Sequence, residues 1–155
     1  MDQIDLTEID RGIIRALQQD CRLPNAQLAE RVGMSASACW RRMRLLEEAG
    51  VISGYAATVD PDRAGLEFQA IVHVKLARHD RDAVKRVMAE LNIRPEVVEC
   101  YAVTGQYDYH LRVICADMAA YRRFLDDFLF RLPAIESAQT NVVLEAIKRR
   151  SVIPV

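Results

Sequence analysis

The sequence predicts an α+β protein, with an N-terminal (winged) helix-turn-helix followed by a C-terminal ferredoxin-like βαββαβ domain. Three observations carry that prediction. The apolar period is helical up to about residue 60, and beyond it alternating runs interleave with helical ones. Between the two regimes, Asp60-Pro61-Asp62-Arg63-Ala64-Gly65 sets Pro and Gly among charges, the composition of a linker. In the first part, two short helical segments are separated by only Gly33, Met34 and Ser35. The predicted units are therefore residues 1–60 with their linker strand, a linker at 61–66, and a second domain at 67–155.

In the first unit, Thr7 is placed to cap the opening helix, with Asp10 at the capping-box position. Ile9, Ile13, Ala16 and Leu17 form its apolar stripe. A second helix begins after Pro24 with Asn25 as its expected cap; it buries Leu28, Ala29 and Val32 and ends at Gly33. Ser35 caps a third helix that ends at Gly50. Residues 51–59 read as extended, a wing or a strand leading to the linker.

The second unit reads strand, helix, strand, strand, helix, strand. The first strand spans about 68–76, and Ala83, Val84, Val87, Met88 and Leu91 give the next helix its stripe. A second strand is expected over about 97–104, a turn at 105–108, and a third strand at 109–115. Asp117 caps the last helix, whose Tyr121, Phe124, Leu125, Phe128 and Leu132 make the heaviest apolar face in the chain, and Pro133 stops it. The fourth strand is expected from about 135 to 146. Both helices cover one face of such a sheet. The other face, carrying Ile71 and Ile114 among polar groups, is open to a second chain, which predicts a homodimer.

Composition narrows the function. Hydrophobic residues are 51% and charged residues 28%, which fits a folded protein. No run of about 18 apolar residues predicts a membrane span, and the acidic start lacks the basic region of a signal peptide, so a cytoplasmic location is expected. The four cysteines have no metal-ligand spacing and read as small apolar fillers. Net charge is −1. Residues 1–60 carry 7 Arg and no Lys against 9 acids, and residues 61–155 carry 14 basic residues against 13 acids. Any DNA binding must then come from a local basic surface, multiplied in an oligomer.

The third helix has that surface. At about 100° per residue, Cys39, Met43 and Leu46 fall on one side. Ser37, Arg41, Arg44 and, a turn later, Glu48 fall opposite. The first two and a half turns of the outer face carry hydroxyls and guanidinia without an acid, the polarity required to enter a major groove N-terminus first. Arg41 and Arg44 can fork onto guanine or bind phosphate, and Ser35 and Ser37 suit phosphate oxygens. Gln27, on the preceding helix, completes the candidate DNA-binding set with Trp40. At the edge of the face, Trp40 either meets a sugar or a thymine methyl, or packs against Tyr55; the sequence leaves both open.

These segments resemble the DNA-binding half of the Lrp/AsnC (feast/famine) regulators: Asp10-Arg11-Gly12-Ile13-Ile14 to Leu17-Gln18, Leu28-Ala29-Glu30-Arg31-Val32-Gly33-Met34-Ser35, and Arg42-Met43-Arg44-Leu45-Leu46-Glu47-Glu48-Ala49-Gly50-Val51-Ile52. Thr104-Gly105-Gln106-Tyr107-Asp108-Tyr109, Asp117-Met118 and Leu132-Pro133 resemble their effector-binding half. Cys39-Trp40 with the Tyr107-Asp108-Tyr109 turn is most similar to the leucine-responsive side of the family. The resemblance implies a transcription regulator that binds double-stranded DNA as dimers, often assembled into octamers, and responds to a free amino acid.

A free amino acid requires an acid or carbonyl for its ammonium, N–H donors for its carboxylate and a pocket for its side chain. Gly105 allows close backbone approach, with Thr104 beside it, and Asp108 supplies a carboxylate. Read alone, Asp108 caps its own turn; the resemblance implies a ligand role. It also implies that Thr140, Asn141, Val142 and Val143 line the pocket from a neighbouring subunit and that Met118 takes part in the effector response. Asn141 stands where relatives often have a larger residue, so the effector is not fixed by the resemblance. No catalytic constellation and no cofactor or metal motif is recognised, so an enzyme is not expected. Two other readings stay open: a metal sensor beginning from His73 and His110 on the open face, and an architectural DNA-binding protein without an effector.

Overall fold

A computed structural model describes residues 5–77, 81–149 and 152–155. The described elements run α1 (Glu8–Gln19), α2 (Asn25–Arg31), α3 (Ala36–Glu48), β1 (Phe68–Leu76), α4 (Arg81–Ile93), β2 (Val97–Ala102), β3 (Tyr109–Cys115), α5 (Met118–Asp127), a 3-10 turn (Leu129–Arg131) and β4 (Ile135–Val142). The chain divides into one unit of residues 1–58 with 148–155, and another of residues 59–147. The sequence reading carries the last residues on the second unit instead. They join the first because the Gln18 side-chain amide grips the backbone of Ile153. Its Oε1 accepts the Ile153 N–H at 2.7 Å and its Nε2 donates to the Ile153 carbonyl at 3.1 Å. Val155 packs against the same apolar core.

In the first unit, the capping box at α1 forms as the sequence predicts. Asp10 N–H donates to the Thr7 hydroxyl, and Thr7 N–H donates to the Asp10 carboxylate at 2.8 Å. Ile13, Ile14, Ala16, Leu28, Ala29, Cys39 and Leu46 make the core. One position of the predicted stripe is displaced: Ile9 is 43% exposed, and the adjacent Asp10 is buried instead. The cap of α2 also differs. Pro24 takes the N-cap position without a side-chain bond, and Asn25, now inside the helix, donates its amide to the Ala36 carbonyl at 2.8 Å. That bond ties the start of α3 to the start of α2. Gly33 closes α2 at φ 68, with its N–H on Glu30 O and Met34 N–H on Ala29 O. This paired pattern satisfies orphan helix carbonyls and requires a left-handed residue. Gly50 repeats it at the end of α3. Residues 53–60 run on without sheet pairing, so the expected wing is extended chain rather than a strand.

The second unit is a four-stranded antiparallel sheet in the order β2-β3-β1-β4. This is the strand order of a split βαβ fold, with β1 and β3 central: β1 and β2 run parallel with β3 between them, and β3 and β4 run parallel with β1 between them. Ala70, Val72 and Val74 of β1 and Leu111 and Val113 of β3 alternate inward onto Val87 and Leu91 of α4 and Tyr121 and Phe124 of α5. Phe68 stacks on Tyr121 at 4.7 Å between ring centroids. Strands β2 and β4 end earlier than the sequence predicts, at Ala102 and Val142. Beyond β4, one further ladder bond forms from Val143 N–H to Gln69 O at 2.9 Å.

Candidate nucleic-acid interface and effector site

Helix α3 is held from beneath by an ion pair. The Arg42 Nη2 donates to Asp10 Oδ2 at 2.6 Å, and its Nε donates to the other carboxylate oxygen. Asp10 is fully buried, and its Oδ2 also accepts the Thr7 hydroxyl at 2.7 Å. The hydrogen-bonded Arg42 guanidinium, helped by Thr7, holds the Asp10 carboxyl well below the usual carboxylate range against the opposing effect of burial. A bidentate guanidinium–carboxylate pair fixes orientation as well as distance, so α3 is set in register on α1.

The same pair sorts the arginines. Arg42 is committed inward. Arg44 is exposed and pairs with Glu47 at 3.0 Å, and Glu47 also accepts the Tyr55 hydroxyl at 2.9 Å. Arg41 is exposed and makes no ion pair among the described residues. Ser35 spends its hydroxyl on the helix, accepting the Ala38 N–H, and lies 3.3 Å from the Ser37 hydroxyl. Gln27 is exposed on α2. Asn25, Ala36, Ser37, Trp40 and Arg41 line a shallow groove of about 490 Å³ between the two helices. A groove flanked by a hydroxyl, an indole and an unpaired guanidinium is chemically suited to the edge of a duplex.

In the second unit, the predicted effector residues form two groups. Thr104, Gly105 and Asp108 sit in the β2–β3 turn, where Gly105 adopts φ 118 and Thr104 is exposed. Asp108 is built into the sheet end: its N–H donates to Val74 O at 2.9 Å and its carboxylate accepts the Leu76 N–H at 2.8 Å. Met118, 58% exposed, starts α5 near the other end, where β3 closes against the start of β1. Thr140, Asn141, Val142 and Val143 also lie toward that end. Thr140 points under α5, its hydroxyl 2.5 Å from the Tyr121 hydroxyl, whereas Asn141 lies on the open face with its amide 3.0 Å from His73 Nε2. Val142 is exposed. On β1, Val74 pairs with Tyr109 and Ala70 with Val142. Four residues of strand separate them, ~13 Å at about 3.3 Å per residue. Within one chain the turn backbone and Val142 are thus offset along β1, while Tyr107 of the turn reaches β4 at Gln139.

The open face is polar and internally bonded. Arg112 donates to Glu99 at 2.9 Å and to Gln69, Lys75 pairs with Glu136 at 2.8 Å, and the Tyr107 hydroxyl donates to Gln139. His73 lies directly across from His110, ring edge to ring face at 4.3 Å. Burial, then the neighbouring His110, lowers the His73 pKa. Its Nδ1 is buried without a hydrogen-bond partner among the described residues.

Two domain families match in tandem. Residues 6–53 match a winged helix-turn-helix DNA-binding domain, and residues 69–153 match the Lrp/AsnC ligand binding domain. The chain belongs to the Lrp/AsnC family. It is 36% identical to the transcriptional regulator AzlB of Bacillus subtilis, over 98% of this chain and 97% of that protein. It is 38% identical to the leucine-responsive regulatory protein of Salmonella typhimurium, over 94% of this chain and 88% of that one. A crystal structure of a Neisseria meningitidis transcriptional regulator in complex with L-Met is similar with a TM-score of 0.92 at 37% identity, covering 97% of each chain. AsnC of Escherichia coli gives 0.88 at 27% identity, over 97% of this chain and 100% of that one. This Lrp/AsnC protein is thus a DNA-binding transcriptional regulator with a ligand-binding domain, in a family that is not enzymatic. Among the described residues no helix is long and apolar enough to cross a membrane. Sequence reasoning missed the Asp10–Arg42 pair. The signal was present: an acid inside an apolar stripe, and an arginine on the inner side of α3.

Proposed function

We propose that this regulator binds promoter DNA through Ser35, Ser37, Trp40, Arg41, Arg44 and Gln27, and that a free amino acid bound in an oligomer changes that binding. The observation that carries the sensing half is the separation on β1. The turn with Gly105 and Asp108 meets β1 at Val74 and Val142 meets it at Ala70, and on this reading the offset is bridged by a pocket completed with the β4 end of a second chain. The related Neisseria regulator is described with L-Met, which supports an amino acid as the class of effector. A dimer through the open sheet face, extended to an octamer, is the assembly this reading expects, in the cytoplasm where the DNA is reached.

Titration calorimetry against the twenty amino acids, on the parent and on Asp108→Asn, tests the sensor. The Asn variant keeps an oxygen for the Leu76 N–H and removes the charge that an ammonium needs. Heat from one or a few amino acids in the parent, lost in a folded Asp108→Asn, is the expected result. Silence across the panel favours an architectural DNA-binding protein. Light scattering should give at least twice the 17.6 kDa chain mass; a monomer removes the shared pocket.

A further inference from the structure

The indole of Trp40 is the largest side chain on α3, and about half of its surface is open to solvent. It is 53% exposed and makes no ring contact among the described residues. Tyr55, which the sequence left as a packing partner, directs its hydroxyl to Glu47 instead. Trp40 shares one groove with Ser37 and Arg41, and the small Ala36 leaves room beside it. The Asn25 Nδ2 donates to the Ala36 carbonyl and braces that groove, while its Oδ1 is buried without a hydrogen-bond partner among the described residues.

We infer that Trp40 is a specificity-determining residue that meets the 5-methyl group of a thymine in the major groove, beside the base pair engaged by Arg41. This rests on the reading that α3 enters the groove. The chemistry is complementary on two counts. Thymine alone presents a methyl group there, and beside it an O4 acceptor; cytosine presents a bare edge and an N4 donor. An indole offers an apolar ring and one N–H that can donate but not accept. It therefore matches thymine at both the methyl and O4, whereas cytosine lacks the methyl and sets a donor against the indole N–H. Arg41, one residue along the helix, supplies the opposite preference, a forked donor for guanine O6 and N7. Together they predict an operator in which an A·T pair with its thymine toward α3 lies next to a G·C pair.

Deoxyuridine differs from thymidine by that methyl group, and this sets the test. Full-length protein is titrated onto a promoter fragment it binds, with thymines replaced by deoxyuridine one at a time. The parent should show one sensitive position per half-site, weakened about fourfold, the value of one buried methyl group at ~0.8 kcal/mol. Trp40→Ala should bind both versions equally, and Trp40→Phe, which keeps an apolar ring, should retain the sensitivity. Thermal melts confirm that each variant folds. If no thymine in the parent is sensitive, or if Trp40→Ala keeps the parent's thymine-to-uracil ratio, the assignment is wrong. A uniform loss in Trp40→Ala across all fragments, with no thymine effect, means the ring rests on the sugar-phosphate backbone, and this too overturns it. Arg41→Ala measured alongside separates the two readings. Weak binding by Arg41→Ala with no thymine effect rejects Trp40 alone, whereas parental binding by both variants removes α3 from the interface.

Discussion

The outer face of α3 and the open face of the sheet are both polar surfaces, yet they are organised in opposite ways. On α3, Arg41, Ser37 and Trp40 face outward with few partners of their own, and the strong pairing lies beneath them, between Asp10 and Arg42. On the sheet, the polar groups are bonded to one another: Arg112 to Glu99 and Gln69, Tyr107 to Gln139, Asn141 to His73. A surface that reads a rigid duplex needs free donors on a fixed backbone. A surface that meets another chain gains from side chains already held in place, because less conformational freedom is lost on association.

The largest effect expected from disturbing this contrast is at the buried pair. Asp10→Asn or Arg42→Met leaves one partner buried without its counter-ion and should cost about 3 kcal/mol, the low end for such pairs because Arg42 is partly exposed. Urea titration followed by circular dichroism measures it. The pH dependence has a definite sign. The folded carboxyl titrates below its ordinary value of 3.8, so its contribution is complete above that pH and is lost as pH falls toward the folded value. Asp10→Asn should flatten that acid limb.

Next in size is Arg41→Ala, which should weaken specific DNA binding by about 1–3 kcal/mol in gel-shift titration while leaving the urea midpoint unchanged. Tyr121→Phe should cost about 1 kcal/mol of stability, since it removes the partner of the Thr140 hydroxyl beneath α5. The smallest effect should come from Glu47→Gln, which releases Arg44 and loosens Tyr55. Exposed pairs of this kind contribute about 0–1 kcal/mol, so stability should barely move. A large drop in any assay would place Glu47 in the interior support of α3 rather than on its rim.

The sequence reveals elements where a local rule has no competitor. Thr7 and Asp10, Ser35, Gly33 and Gly50 mark helix ends because capping depends on neighbours within a few residues. The β1 and β3 alternation is equally plain, since one face of each is buried. Asn25 misleads because Pro24 already occupies the cap position, which frees the Asn side chain for a longer-range bond to Ala36. Ile9 misleads because Asp10 takes the inward position only once Arg42 stands 32 residues away to receive it. Among the candidate effector residues, Gly105 and Asp108 are legible in the chemistry of the turn, whereas Met118, Thr140, Asn141, Val142 and Val143 come only from the resemblance. Their placement along the sheet depends on strand order and register, which no local spacing records.

The grip of Gln18 on Ile153 has a consequence for the order in which the molecule is made. Residues that form α1, α2 and α3 leave the ribosome before the ligand-binding domain, whereas Ile153 and Val155, which bond to and pack against them, leave after it. Domains formed early in synthesis ordinarily finish before the next begins. Here the first unit gains its Gln18–Ile153 bonds and its Val155 contact only after the ligand-binding domain has been translated.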